Sequence, residues 1–171
     1  MVCTMSRVFF ISDLHLGHKG ILNFSPNRQG TTVEEHDQAI VSLWNSVVTK
    51  RDIVYVLGDV CFDMKCLPLL SEMRGTKRLI RGNHDKFDTN VYLKYFDLIQ
   101  GFMSYKGFWL SHCPIHPTEL RGRKNIHGHV HNNIIQDENY ISVCVESCQG
   151  VPVLFESIWD GVYTGGYHAS L

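Results

Sequence analysis

Apolar residues follow two rhythms along this chain, and the rhythm changes near its middle. Arg7 to Ile11 (RVFFI) is a short apolar run closed by the polar segment SDLHLGH, the pattern of a buried strand. From Thr32 to Val48 the spacing turns helical. Thr32 and Glu35 form a capping box, and Val33, Ile40, Leu43, Trp44, Val47 and Val48 fall on one face. Ile53 to Leu57 (IVYVL) is a second buried strand, ended by Gly58-Asp59. A short helix is predicted around Met64 to Met73, with Pro68 in its first turns, where a missing N–H does least harm. Lys77 to Arg81 (KRLIR) is a third strand, ended by Gly82-Asn83-His84-Asp85, and Asp88 caps a helix running to about Phe96.

The second half reads mostly as strands. Leu98 to Tyr105, Gly107 to Ser111, Lys124 to His127 and Tyr140 to Val145 are strand-like, with Gly and Asn turns between them. Val153 to Ile158 offers one more strand, and the Gly-rich end from residue 160 to 171 reads as a surface tail. The order βαβαβα followed by β elements predicts a layered α/β (α+β) fold, with residues 1 to 171 as a single domain.

Composition narrows the function classes. With 171 residues, 44% of them hydrophobic, the chain suits one sizeable core. A formal net charge of -1 lacks the basic balance of a protein that wraps long nucleic acid, so no stable partner of that kind is expected. No run reaches the 18 or so apolar residues of a membrane span, and the N-terminal apolar run lacks the pattern of a signal peptide. A cytoplasmic protein with no membrane partner is expected. The six cysteines, Cys3, Cys61, Cys66, Cys113, Cys144 and Cys148, lack the paired spacing of a structural zinc site and read as small buried hydrophobes and free thiols. Cys113 stands apart because it follows His112.

Three successive strands each end in polar chemistry: Ser12-Asp13-Leu14-His15, Gly58-Asp59 and Gly82-Asn83-His84-Asp85. In open α/β sheets, sites form beyond the carboxyl ends of strands, so these residues should converge. Later strand ends add His112 and the segment His127-Gly128-His129-Val130-His131. Strand alternation would aim Asp13 with His15, and His129 with His131, at one place. Aspartate, histidine and an amide oxygen suit divalent manganese, iron, nickel or zinc, and a bridging carboxylate can hold two such ions together.

The ordered motifs D-x-H, G-D, G-N-H-D, H and G-H-x-H, carried here by Asp13, His15, Gly58, Asp59, Gly82, Asn83, His84, Asp85, His112, Gly128, His129 and His131, resemble the calcineurin-like metallophosphoesterases. The text SDLHLGHKGI and the pair Asn45 and Val48 look like their small single-domain bacterial and phage branch. The resemblance implies a two-sheet β sandwich flanked by helices and a centre of two divalent metal ions, with manganese favoured over iron, nickel and zinc. It implies that Asp13, His15 and His131 hold one ion, that Asn83, His112 and His129 hold the other, and that Asp59 bridges them. His84 would stand beside the substrate, oriented by Asp85. Such a centre would activate water for in-line attack on phosphorus, with His84 assisting the leaving group. Ser111-His112-Cys113-Pro114 departs from the family's usual Thr-His-Gly segment, which puts His112 in the least typical surroundings.

Other residues are read against plainer roles. His36 and His168 read as surface or hydrogen-bonded histidines, and His127 as a packing residue. His18 and His116 are balanced between that role and contact with a substrate phosphate. Arg28, Arg81, Arg121 and Arg123 are candidate phosphate clamps, although charge runs are more often solvated faces. Asp63 reads as a helix cap or a support to the site; Trp44 and Trp109 read as packing residues. The expected activity is phosphodiester hydrolysis on a small phosphate ester, a nucleotide or cyclic nucleotide. The rivals are a phosphomonoesterase or protein phosphatase, a nucleic-acid end-nuclease and an inert interaction module.

Overall fold

A computed structural model describes residues 6 to 167. The first sheet contains β1 (Val8–Ile11), β2 (Ile53–Val56), β3 (Thr76–Ile80), β4 (Leu98–Gln100) and β9 (Val153–Leu154), in the order β4-β3-β2-β1-β9. Its first four strands are parallel and β9 is antiparallel to β1. The second sheet runs β5 (Phe102–Tyr105), β6 (Phe108–Ser111), β7 (Lys124–His127) and β8 (Tyr140–Ser142). Here β5 and β6 are antiparallel, whereas β6, β7 and β8 are parallel. Phe10 of β1 meets Tyr105 of β5 at a ring distance of 5.8 Å, and Ile11, Val56, Leu110, Ile126 and Ile141 share one buried core. A parallel bridge between Ser12 and Cys144 joins the two sheets where the functional loops begin. These two mixed sheets with flanking helices are the fold expected from the motifs.

Helix α2 (Val33–Val47) starts at Thr32, whose hydroxyl accepts from the Glu35 N–H at 3.2 Å. Glu35 returns its carboxylate one residue earlier than the expected box, to the N–H and hydroxyl of Thr31. The buried face of α2 holds Ile40, Val41 and Trp44, and also the polar pair His36 and Asp37, which apolar periodicity could not signal. Asn45 ties the helix to the Glu72 carbonyl and the Arg74 N–H at 2.9 Å each.

Several elements differ from the sequence expectation. The run Leu98 to Tyr105 is two strands in different sheets, crossing at exposed Gly101. The helix around Met64 to Met73 divides into a 3-10 turn (Met64–Cys66) and α3 (Leu69–Glu72), with Pro68 at the N-cap and Asp63 capping the 3-10 turn through the Lys65 N–H. Asp88 caps α4 (Thr89–Tyr92), and only turns continue to Phe96. The strand predicted over Val153 to Ile158 is two residues long and becomes α6 (Phe155–Trp159), which buries Phe155 and Ile158 one turn apart. Two further short helices went unpredicted: α1 (Ile21–Phe24), in a stretch read as loop, and α5 (Val145–Cys148), which begins at the last residue of the strand predicted over Tyr140 to Val145. Within the predicted tail, Tyr163 docks instead of extending: its hydroxyl donates to the Ser142 carbonyl at 2.8 Å. His168 and Cys3 lie outside the described residues.

Candidate metal centre

The loops after β1 and β2 run side by side beyond the sheet. The N–H groups of Asp13, His15 and Leu16 donate to the carbonyls of Gly58, Asp59 and Val60, each at 3.0 Å. Asp13, His15, Asp59, His129 and His131 all adopt left-handed backbone conformations, with φ of 60°, 53°, 54°, 73° and 49°. Strand alternation therefore does not aim these side chains, contrary to the sequence expectation; alternate left-handed residues in the loops do. Such conformations cost on the order of 1–3 kcal/mol each and persist only where their surroundings enforce them. Gly58 makes the convergence sterically possible. Its φ is 89°, and a Cβ there would lie 2.6 Å from His112 Nδ1 and 2.7 Å from the Gly82 backbone.

All seven residues singled out as ligands meet here, in two groups. In the first, Asp13 Oδ1 lies 3.7 Å from His15 Nε2 and 3.6 Å from His131 Nε2. In the second, His112 Nε2 lies 2.8 Å from Asn83 Oδ1 and 3.2 Å from His129 Nδ1. Asp59 Oδ2 stands between them, 3.7 Å from His15 Nε2 and 3.4 Å from His112 Nε2. Its other oxygen accepts the His84 N–H at 2.9 Å.

This donor set fits metal ions better than it fits a hydrogen-bond network. Asp13 Oδ1 and both ring nitrogens of His15 are buried without a hydrogen-bond partner, a costly condition for polar atoms. Separations of 3.6–3.7 Å among Asp13, Asp59, His15 and His131 are too long for direct hydrogen bonds. They match donors gathered round a common centre at about 2.0–2.2 Å each. Burial pushes the Asp13 carboxyl up, but the histidines and Ser12 outweigh it and hold the group well below the usual carboxylate range. Burial drives the His15 imidazole toward its neutral, ligating form. Burial also lowers His112, but Asp59 and Asp13 raise it to about 8, so binding there would release a proton at neutral pH.

The supports around these donors were harder to foresee. Glu146, in α5, accepts from His131 Nδ1 at 3.0 Å, from the Ser25 hydroxyl at 2.7 Å and from Arg28 Nε at 2.8 Å. Burial raises its carboxyl, but His131 and Arg28 bring it down to about 2. Arg28 also donates to the carbonyls of Asp13 and Leu14 and meets His36 Nε2 at 3.3 Å; His36 in turn meets Asp37 at 2.9 Å. Arg28 is thus buried scaffolding and not a substrate clamp. The only sequence signal for Glu146 was a carboxylate just past a strand end, at Val145-Glu146. His36 is hydrogen-bonded, one of the two plain roles it was given.

Other assignments also change. Both oxygens of Asp85 are taken by the N–H groups of Asp59, Val60 and Gly82 and by the Tyr92 hydroxyl. Asp85 therefore fastens two loops together and does not orient the His84 ring. Arg81 is committed to the carbonyls of Asp85 and Phe87 and the Thr89 hydroxyl, so it is a loop staple and not a phosphate clamp. The His84 ring instead lies 4.9 Å from Phe62, which also stacks on His15 and His18 at 4.8 and 4.2 Å. Phe62 drew no notice in the sequence, since one aromatic inside GDVCFD has no periodicity to mark it. His18 shares a groove with His15 and His131. His116 caps a 3-10 turn (Pro117–Glu119) and lines a second groove with Trp109 and Arg121; none of the seven donors lines that groove. Arg121 pairs with Glu119 at 3.0 Å, and Arg123 lies 4.4 Å over the Trp109 ring, so the basic loop is engaged with its own surroundings. His127 is buried in β7, with Nδ1 directed to the Gly128 carbonyl at 2.9 Å. Cys113 is exposed beside His112 and His129. Among the described residues, no helix is long and apolar enough to cross a membrane.

The chain is similar to several known proteins. A protein of Methanocaldococcus jannaschii, described as uncharacterized, is 35% identical over 144 residues, covering 81% of this chain and 77% of that protein. The Gene 66 protein of Mycobacterium phage D29 is 29% identical over 167 residues, covering 77% of this chain and 82% of its own. Its counterpart from Mycobacterium phage L5 is 42% identical over 86 residues, which is 47% of this chain and 41% of that protein. The solved structure of an Aquifex aeolicus protein of unknown function superposes with a TM-score of 0.73 at 26% identity, covering 91% of this chain and 98% of that one. The model of the calcineurin-like phosphoesterase family matches residues 6–142, which contain every candidate ligand, and the chain belongs to that family of phosphate-ester hydrolases.

Proposed function

We propose that this protein is a phosphodiesterase with two divalent metal ions, manganese first among the candidates, acting in the cytoplasm on a small phosphate ester such as a nucleotide or cyclic nucleotide. The observation that carries the reading is the place of Asp59 Oδ2, within 3.7 Å of donors from both groups. Asp13, His15 and His131 would hold one ion and Asn83, His112 and His129 the other, with Asp59 shared. Two ions bound there supply Lewis-acid activation of water and neutralise charge on the phosphoryl oxygens. The chain's own residues do the rest. Glu146 keeps the His131 ring turned so that Nε2 faces Asp13. Asp85 holds the Asp59 and Gly82 loops at fixed separation. The His84 ring, propped against Phe62, is free to hydrogen-bond the phosphoryl group or give a proton to the leaving oxygen.

Charge supports a diester over a monoester. A monoester dianion needs extra fixed positive charge, and Arg28 and Arg81 are bound to internal partners. Burial and neighbouring His15 lower His18, which favours its neutral form. The site therefore suits a singly charged phosphodiester. Arg121 lines a groove that none of the seven donors lines, which weighs against an end-nuclease built on the basic loop.

The test is to load the protein with manganese and compare bis-nitrophenyl phosphate, nitrophenyl phosphate, cyclic mononucleotides and single-stranded DNA. Turnover of the diesters above the monoester is expected. A monoester preference would reverse the assignment, and DNA cleavage with steep salt dependence would replace it with a nuclease.

A further inference from the structure

A row of near-parallel rings leads outward from the donor cluster. His15 stacks on Phe62 at 4.8 Å and 21°, Phe62 on His18 at 4.2 Å and 15°, and His18 on Phe24 at 6.0 Å and 19°. Phe24, the last residue of α1, ends the row and is 74% exposed. His15, His18 and Phe24 line an open groove of about 490 Å³ together with His131, Asn132 and Asn133. The groove therefore begins at two donors of the first cluster and ends at an exposed aromatic ring and two exposed carboxamides.

A single exposed phenylalanine on a surface is ordinary. Three features separate Phe24 from that case. Its plane is aligned with the inner rings, so a flat group laid against it continues an existing stack. The carboxamides of Asn132 and Asn133, each with donors and acceptors, share its groove and directly follow the donor His131. His18 Nδ1 is buried there without a hydrogen-bond partner. The group that fits is flat, apolar on its faces and polar along its edges, as a nucleobase is. Aromatic side chains take any base by its face, while amides read its edge.

We infer that this groove is the subsite for the organic part of the ester, and that Phe24, Asn132 and Asn133 select a planar heteroaromatic group, that of a nucleoside phosphate. The inference rests on the phosphoesterase reading and assigns its substrate class to named residues. Phe62 and His18 act as positioning residues that hold the row in line, and Phe24 is the face the base meets.

The test compares two diesters with the same leaving group: the para-nitrophenyl ester of thymidine monophosphate and methyl para-nitrophenyl phosphate. The manganese-loaded full chain should prefer the nucleoside ester. Phe24→Ala, at an exposed position, should lower kcat/KM for that ester by about 5- to 150-fold, the worth of one base stack, and leave the methyl ester unchanged. Phe24→Tyr should restore the preference. Equal losses on both esters, or no preference in the parent protein, would overturn the subsite while leaving the phosphoesterase reading intact. If neither ester is hydrolysed, that reading fails, and saturation-transfer NMR with thymidine monophosphate decides the subsite by itself. Transfer to the base protons, lost in Phe24→Ala, supports it; absence of transfer in the parent protein refutes it.

Discussion

His131 Nδ1 lies 3.0 Å from Glu146 Oε1, and this contact decides which ring nitrogen His131 turns toward Asp13. A carboxylate behind a ligating imidazole fixes its tautomer and raises its basicity. Glu146→Gln keeps the volume and removes the charge. It should weaken metal binding about 10- to 100-fold. Calorimetric titration with manganese reads this directly, and unchanged affinity would show that His131 needs no such support. Glu146→Ala should also destabilise the fold, by about 3–5 kcal/mol, because buried Arg28 loses its counter-charge.

His84 and Asp59 should fail in different ways. Asp59→Ala removes the shared donor and should abolish turnover. His84→Ala should lose about 10²–10⁴-fold on esters with poor leaving groups and much less on nitrophenyl esters, whose leaving groups need no acid. A uniform loss across leaving groups, with metal still bound, would rule out proton donation by His84.

Gly128 sits where the β7 loop meets the β1 loop. A Cβ at this position would collide with the Ser12 hydroxyl and lie 2.5 Å from Asp13 Oδ2. Gly128→Ala should therefore reduce metal stoichiometry, as measured by elemental analysis. Normal metal content would mean that the two loops separate freely.

Away from the centre, Asp52 joins β2 to the start of β1. Its carboxylate accepts from Arg7 Nη2 at 2.7 Å and from the Thr49 N–H and hydroxyl at 2.7 and 2.8 Å. Burial pushes the carboxyl up, but these bonds outweigh it and hold it below the usual carboxylate range. A depressed carboxylate stabilises the fold above its unfolded value, about pH 3.9, and loses that contribution as pH falls toward the folded value. Asp52→Asn should cost about 1–3 kcal/mol at neutral pH and flatten the acid limb of a stability-against-pH curve. An unchanged acid limb would contradict this assignment.

Much of the centre was legible because its chemistry sits at strand ends. Buried parallel strands read as short apolar runs, so Asp13, Asp59 and Asn83 stood out as polar breaks in a pattern. What escaped depends on tertiary contact. Glu146 lies 15 residues beyond His131, in a one-turn helix that has no periodicity of its own. Arg28 looked like a surface clamp because nothing local announces a buried carboxylate as its partner. The run Leu98 to Tyr105 is continuous in apolar character, and only its pairing with β3 on one side of Gly101 and β6 on the other shows two strands. The left-handed backbone at Asp13, His15 and His131 also escaped, because Asp and His are only enriched in that conformation and the neighbouring loops impose it.

Whether Asp59 bridges two metal ions can be read from anomalous scattering by manganese-soaked crystals. Two peaks about 3.5–4 Å apart are expected, one among Asp13, His15 and His131, the other among Asn83, His112 and His129, with Asp59 Oδ2 between them. A single peak, or two peaks that do not share Asp59, would contradict the bridge.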